Sequence, residues 1–202
     1  MVKSSVKNQP SALFWHTLVF LLWKIIGMKN KTILLLAVGD GAINIVEQNK
    51  EKFPDVVEIV SIRVVQGNVD DVDAPEYWAK MLQLIVSEEI MVVSVLNCLG
   101  GDSRGTILPI CKALSEYKNS IFLEGWFIYP FSFEGNSCFL NAQSKISLLE
   151  DEEYFKSSYF EVTTICNDDM FTEFPLLPFH AALRQFNGKI CDEILSLYTD
   201  FL

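Results

Sequence analysis

Three short stretches of this chain put glycines and oxygen-bearing side chains where an apolar run ends, which is the chemistry of a phosphate cradle. Residues 90–96 form a continuous apolar run that soon breaks at Gly100, Gly101, Asp102, Ser103, Arg104, Gly105 and Thr106. An earlier run, residues 33–38, ends in Gly39, Asp40, Gly41 and Ala42, with Asn44 close behind. A third, residues 121–128, closes on Pro130-Phe-Ser-Phe-Glu-Gly135. A strand that turns through glycine into a helix aims backbone N–H groups at one spot, where the helix dipole favours an anion. Arg104 can pair with a phosphate, whereas Asp102 opposes one. At ~4 Å and an effective dielectric of ~20 that repulsion is about 4 kcal/mol, near a thousandfold in affinity. Side chains at both positions also crowd an approach that needs bare backbone.

The same loop carries a second chemistry. Gly101-Asp-Ser-Arg-Gly105 is G-x-S-x-G between a strand and a helix, the setting of a nucleophile elbow at Ser103. Asp168 or Asp169 and then His180 follow in the order of a Ser, Asp, His triad. His16, the only other histidine, lies in an apolar N-terminal stretch, so His180 is the one base available. Asp70, Asp71 and Asp73 offer hard oxygen ligands, but a solvated acidic loop is the ordinary reading of such a run.

These turns need strands and helices to hold them. The runs at residues 33–38, 56–65, 90–96, 121–128 and 159–165 read as five buried or half-buried strands. Between them fall a short helix ending before Pro54, one opening at Pro75 and running to about Val86, one after Gly105, and one near residues 139–149. An acidic corner at residues 150–153 and a long closing helix from Pro178 to Leu202 complete the pattern. Alternation of this kind predicts an α/β, Rossmann-like, three-layer domain with a mainly parallel sheet.

At 202 residues the chain suits one such domain, residues 31–202, behind an apolar helix at residues 1–30. A net charge of -10 excludes nucleic acid as a partner, because phosphodiester binding needs a concentrated basic surface. Cys98, Cys111, Cys138, Cys166 and Cys191 are odd in number and lack a C-x-x-C, which predicts free thiols and a cytoplasmic protein. Residues 12–27 are apolar on almost every helical face, yet fall short of the ~20 residues a spanning helix needs. They predict a helix that packs on its own domain or on a partner, with peripheral membrane contact as the second reading. Lys3 and Lys7 resemble a leader's start, but no small-x-small cleavage site follows, and Met28 offers an alternative start.

The three turns together resemble the FtsZ/tubulin family, whose glycine loop reads G-G-G-T-G-[ST]-G and whose next strand ends P-F-x-F-E-G. Residues 130–135 match the second motif in full. With Pro109 aligned to the proline after the loop, Gly100 and Gly101 match, Ser103 replaces a threonine, and Asp102 and Arg104 replace glycines. Gly39, Gly41 and Asn44 fit the family's first phosphate loop, and Ala74-Pro-Glu76 fits a loop near the terminal phosphate. By the same resemblance Glu134 is the ribose-binding glutamate, and Asn167 the asparagine that meets the nucleoside. The arginine expected after F-E-G has no counterpart in residues 136–141, and Leu183 and Arg184 replace the Asn and Asp that contact guanine.

The resemblance thus implies nucleotide contacts at Gly39, Asp40, Gly41 and Asn44, along residues 100–106, and at Glu134 and Asn167. It implies GTP or GDP, weakly bound, with magnesium only alongside the nucleotide. The family's hydrolytic carboxylates and second domain lie past the last residue of this sequence. The expected function is a binding or regulatory module with weakened or lost GTP binding and no autonomous GTPase activity. A GTP binder completed by a second copy or an FtsZ-like partner is one alternative, and a serine hydrolase using Ser103 the other.

Overall fold

The strand β1 (Ile33–Val38) is six consecutive buried apolar residues, a pattern that requires cover on both faces of its sheet. The computed structural model describes residues 32–63, 75–86, 89–100, 106–117, 121–151 and 160–199. The apolar segment at residues 12–27, Met28, the acidic run at residues 70–73 and the loop residues Gly101 to Gly105 lie outside them.

After β1 come α1 (Asp40–Gln48), β2 (Val57–Ile62), α2 (Pro75–Ile85) and β3 (Val92–Cys98). They are followed by α3 (Ile107–Leu114), β4 (Phe122–Tyr129), α4 (Asn136–Asp151), β5 (Phe160–Cys166), α5 (Asp169–Glu173) and α6 (Phe179–Tyr198). The five strands are all parallel, in the order β2-β1-β3-β4-β5. This is the doubly wound arrangement, and the chain reverses direction across the sheet between β1 and β3.

Alternation along β1 sorts the core into two layers. Leu34, Leu36 and Val38 pack with α2, α3 and α4 through residues such as Leu82, Ile110 and Ile146. Ile33, Leu35 and Ala37 pack with α1, α5 and α6 through Ile43, Met170, Phe186 and Ile190. Each fully buried Leu, Ile or Phe contributes about 1.5–3 kcal/mol, so both layers hold the strand ends in place. Lys52 adds a polar tie, donating to Gly188 O at 2.9 Å and to Asp192 Oδ1 at 2.8 Å on α6.

The expected strand from Ile90 runs instead from Val92 to Cys98. Its far end is prolonged because Asn97 Nδ2 donates to Val38 O at 2.9 Å and Leu99 N–H to Ile128 O at 2.8 Å. Helix α4 begins at Asn136, earlier than its apolar pattern suggested, directly behind a 3-10 turn at Ser132–Glu134. Helix α5, five residues long with only Met170 buried, was not anticipated. Among the described residues no helix is long and apolar enough to cross a membrane.

Candidate functional site

Parallel strands all end at one edge, and the order reversal between β1 and β3 opens a crevice there. Gly39 leaves β1 with φ 85°, a left-handed conformation that glycine adopts without strain, and its N–H donates to Ile62 O at 2.9 Å. Asp40 then starts α1 and Asn44 is exposed on its next turn. Gly41 has a separate reason to be glycine: a Cβ there would lie 2.8 Å from Cys98 Sγ. The first turn of α1 therefore sits directly on the end of β3.

The second turn leaves β3 through Leu99 and Gly100. A Cβ on Gly100 would lie 2.7 Å from Pro130 Cβ and 3.5 Å from Glu134 Oε2. Two motifs separated by thirty-odd residues in sequence thus meet at the crevice, and the Glu134 carboxylate borders the glycine turn. Glu134 Oε1 accepts the Phe131 N–H at 2.9 Å, which fixes the side chain. Thr106 is buried, and its carbonyl accepts the Ile110 N–H at 3.2 Å in the first turn of α3. Its role in the described structure is to seat that helix. Residues 101–105, including Ser103 of the hydrolase alternative, lie outside the described residues.

The β5 turn joins from the other side. Asn167 N–H donates to Tyr129 O at 3.4 Å, and its carbonyl accepts the Met170 N–H at 3.2 Å. Asp168 accepts the Ser132 N–H at 3.1 and 3.3 Å through its two oxygens. His180 opens the second residue of α6 and packs edge-on against Phe179, with ring centroids 5.7 Å apart. Beside this turn lies an aromatic cluster. Phe131 stacks on Phe133 at 4.8 Å, and Phe171 and Phe179 close around both. Phe133 is 64% exposed, and Leu176 beside the cluster's chain segment is 94% exposed.

Burial raises the Cys98 thiol to about 12, and the nearby Glu134 carboxylate adds to the effect. Cys98 is therefore a packing group under the crevice and not a nucleophile. Two grooves of about 190 and 290 Å³ flank β5, the first lined by Phe186, Lys189 and Glu193, the second by Tyr129, Phe139 and Gln143. Neither is lined by the glycine turns, so the chemistry of the motifs points to the β1/β3 mouth and not to these two grooves. Among the described residues no cluster of three or more His, Cys, Asp or Glu side chains could hold a metal ion.

Two cations at this edge were not read from the sequence. Arg63, just past β2, places Nε 2.8 Å from Asp40 Oδ1. Lys145 of α4 is 8% exposed and donates from Nζ to Leu99 O at 3.0 Å. The only signal for Lys145 was its place on the apolar stripe with Ala142, Ile146 and Leu149.

No family model matches the chain, and no curated protein does. Among solved structures the chain is similar to TubZ of Clostridium botulinum phage c-st, at 15% identity and a TM-score of 0.54, over 72% of this chain and 57% of TubZ. The form of TubZ lacking its C-terminal tail matches equally, at 15% identity and TM-score 0.54, over 73% and 58%. The chain thus spans little more than half the length of these proteins. At this identity the likeness establishes the fold, which is tubulin/FtsZ-like, as the motifs implied.

Proposed function

We propose that this chain is a nucleotide-binding or regulatory module, with GTP or GDP held weakly in the β1/β3 crevice and no hydrolysis by the chain alone. The observation that supports the reading is the closeness of Gly100 and Glu134, the residues that by resemblance would face phosphate and ribose. The open end of α1 and Gly39 supply the facing wall. The exposed Phe133 and Phe179 rings, on the same edge, offer a π-face to a base. At the crevice Asp40 pairs with Arg63, Glu134 accepts the Phe131 N–H, and Asp168 accepts the Ser132 N–H.

Isothermal titration with GTP, GDP and ATP, with and without magnesium, tests the reading. Weak binding without phosphate release is the expected result. No binding at any accessible concentration, or turnover by the isolated monomer, overturns it. The exposed aromatic cluster favours one variation, in which a second copy or a related partner covers the rim and completes the site. In that case phosphate release rises more steeply than linearly with protein concentration.

A further inference from the structure

The loop after β3 carries Asp102 where a phosphate turn needs bare backbone, and no basic residue occurs in residues 136–141. The fold brings positive charge to the same edge from elsewhere. Arg63 follows β2 and reaches Asp40 at the opening of α1, with 2.8 Å between Nε and Oδ1. Lys145 reaches the other wall from α4, and its contact with Leu99 O is one residue before Gly100. Asp40 follows β1, Arg63 follows β2 and Leu99 follows β3, so both contacts stand at the edge where these three neighbouring strands end.

We propose that Arg63 and Lys145 supply the positive charge that holds a nucleotide's phosphates in this crevice. The proposal rests on the nucleotide reading above and states how that site binds. Arg63 and Asp40 are both largely exposed, and an exposed ion pair of this kind is weak enough to exchange. A phosphate offers the guanidinium a bidentate acceptor of higher charge, and Arg63 turns from Asp40 to the ligand. Lys145 acts differently. Nearly out of water, its ammonium holds the Leu99 carbonyl at the start of the turn and adds charge through a medium that screens it less than solvent does. It is a positioning residue. Recognition led by phosphate charge tolerates different bases, which agrees with Leu183 and Arg184 standing where the family reads guanine.

The test is calorimetric titration of the full chain with GTP, inorganic tripolyphosphate and guanosine, at low and high salt. Arg63→Gln weakens GTP and tripolyphosphate binding by about ten- to a hundredfold, the range of a charge-assisted hydrogen bond, and flattens the salt dependence. Guanosine binding stays unchanged. Lys145→Met lowers phosphate affinity in the same direction while keeping the buried stem. Asp40→Asn strengthens binding by freeing Arg63, a sign that a merely structural ion pair does not give. Should Lys145→Met fail to fold, the two other variants decide. Failure of the natural chain to bind either GTP or tripolyphosphate refutes the nucleotide reading itself. GTP binding that Arg63→Gln leaves unaltered in affinity and salt slope overturns the charge assignment alone.

Discussion

Replacing Glu124 by Gln should stabilise the protein at neutral pH and do little in acid. Glu124 sits mid-strand in β4, 2% exposed, paired in register with Ser94 on β3. Ser94 Oγ donates to Oε2 at 2.6 Å, and Trp126 Nε1 donates to the same oxygen at 3.5 Å. Oε1 has no hydrogen-bond partner among the described residues, and neither does the buried Tyr198 hydroxyl. Burial raises the carboxyl's pKa, the Ser94 and Trp126 hydrogen bonds oppose that rise, and the Glu161 charge adds to it. A folded pKa above the unfolded value, ~4.3, means stability that is fully present below the unfolded value and lost as pH climbs through the folded one.

Glutamine keeps an acceptor for Ser94 and Trp126 and carries no charge. The gain at pH 7 should match the cost of one buried, unsatisfied polar atom, about 1–3 kcal/mol. For a chain of this size that is about 2–4 °C in Tm for each kcal/mol. Urea unfolding followed by tryptophan fluorescence, from acid to neutral pH, measures it. The advantage of the variant should shrink toward zero at about pH 3, well below the unfolded value, where both folded and unfolded carboxyls are protonated. An equal effect at both ends of the range, or a loss of stability at pH 7, refutes the reasoning.

Three further outcomes are expected. Gly41→Ala should lower the urea midpoint by about 1–3 kcal/mol of overpacking, despite alanine's better helix propensity, because its Cβ meets both Cys98 Sγ at 2.8 Å and Cys98 Cβ at 2.9 Å; an unchanged midpoint contradicts the packing. Cys98, with its thiol raised to about 12, should react with iodoacetamide at pH 8 tens of times more slowly than an ordinary thiol. Its thiolate is roughly a thousandfold scarcer and only about twentyfold more nucleophilic; mass mapping of the five cysteines against time shows whether Cys98 lags. Replacing Asp102 and Arg104 together by Gly should raise GTP affinity more than either change alone, without creating turnover, because a single remaining side chain still crowds an approach that needs bare backbone. A double variant no tighter than Asp102→Gly alone counts against crowding as the dominant effect.

Strands β1, β3 and β4 were legible because a parallel strand covered on both faces is mostly apolar: residues 33–38 are so throughout, and β3 and β4 are broken only by Ser94, Asn97 and Glu124 among their buried residues. The edge strands β2 and β5 are half-exposed and gave a weaker signal that was still sufficient for the alternation. Helix α5 was not legible, because five residues with one buried side chain carry no period. Lys145 and Arg63 escaped for another reason. A lysine inside Ser144-Lys-Ile-Ser147 looks solvated until the fold brings Leu99 O to it, and Arg63 gains meaning only from Asp40 across the β2/β1 edge. Glu124 is a lone carboxyl inside Phe122-Leu-Glu-Gly-Trp126, and its partner Ser94 lies thirty residues away, set by register alone.

The glycines of the crevice separate what belongs to the fold from what belongs to a ligand. Gly41 is required by Cys98, and Gly100 by Pro130, before any phosphate arrives. Their presence therefore argues for the tubulin/FtsZ-like arrangement of β1, β3 and β4 more strongly than it argues for nucleotide binding. Other positions differ from the family pattern. Asp102 and Arg104 replace glycines in the loop, while Leu183 and Arg184 replace the base-reading pair on α6. Glu134 links the two cases, since its carboxylate both receives the Phe131 N–H and borders Gly100. Its replacement by Gln, which keeps the acceptor but removes the charge, should leave the melting temperature nearly unchanged. If a ribose binds there, nucleoside affinity falls while tripolyphosphate affinity rises, because one negative charge has left the mouth. A parallel change in both affinities would mean that Glu134 serves the loop and not the ligand.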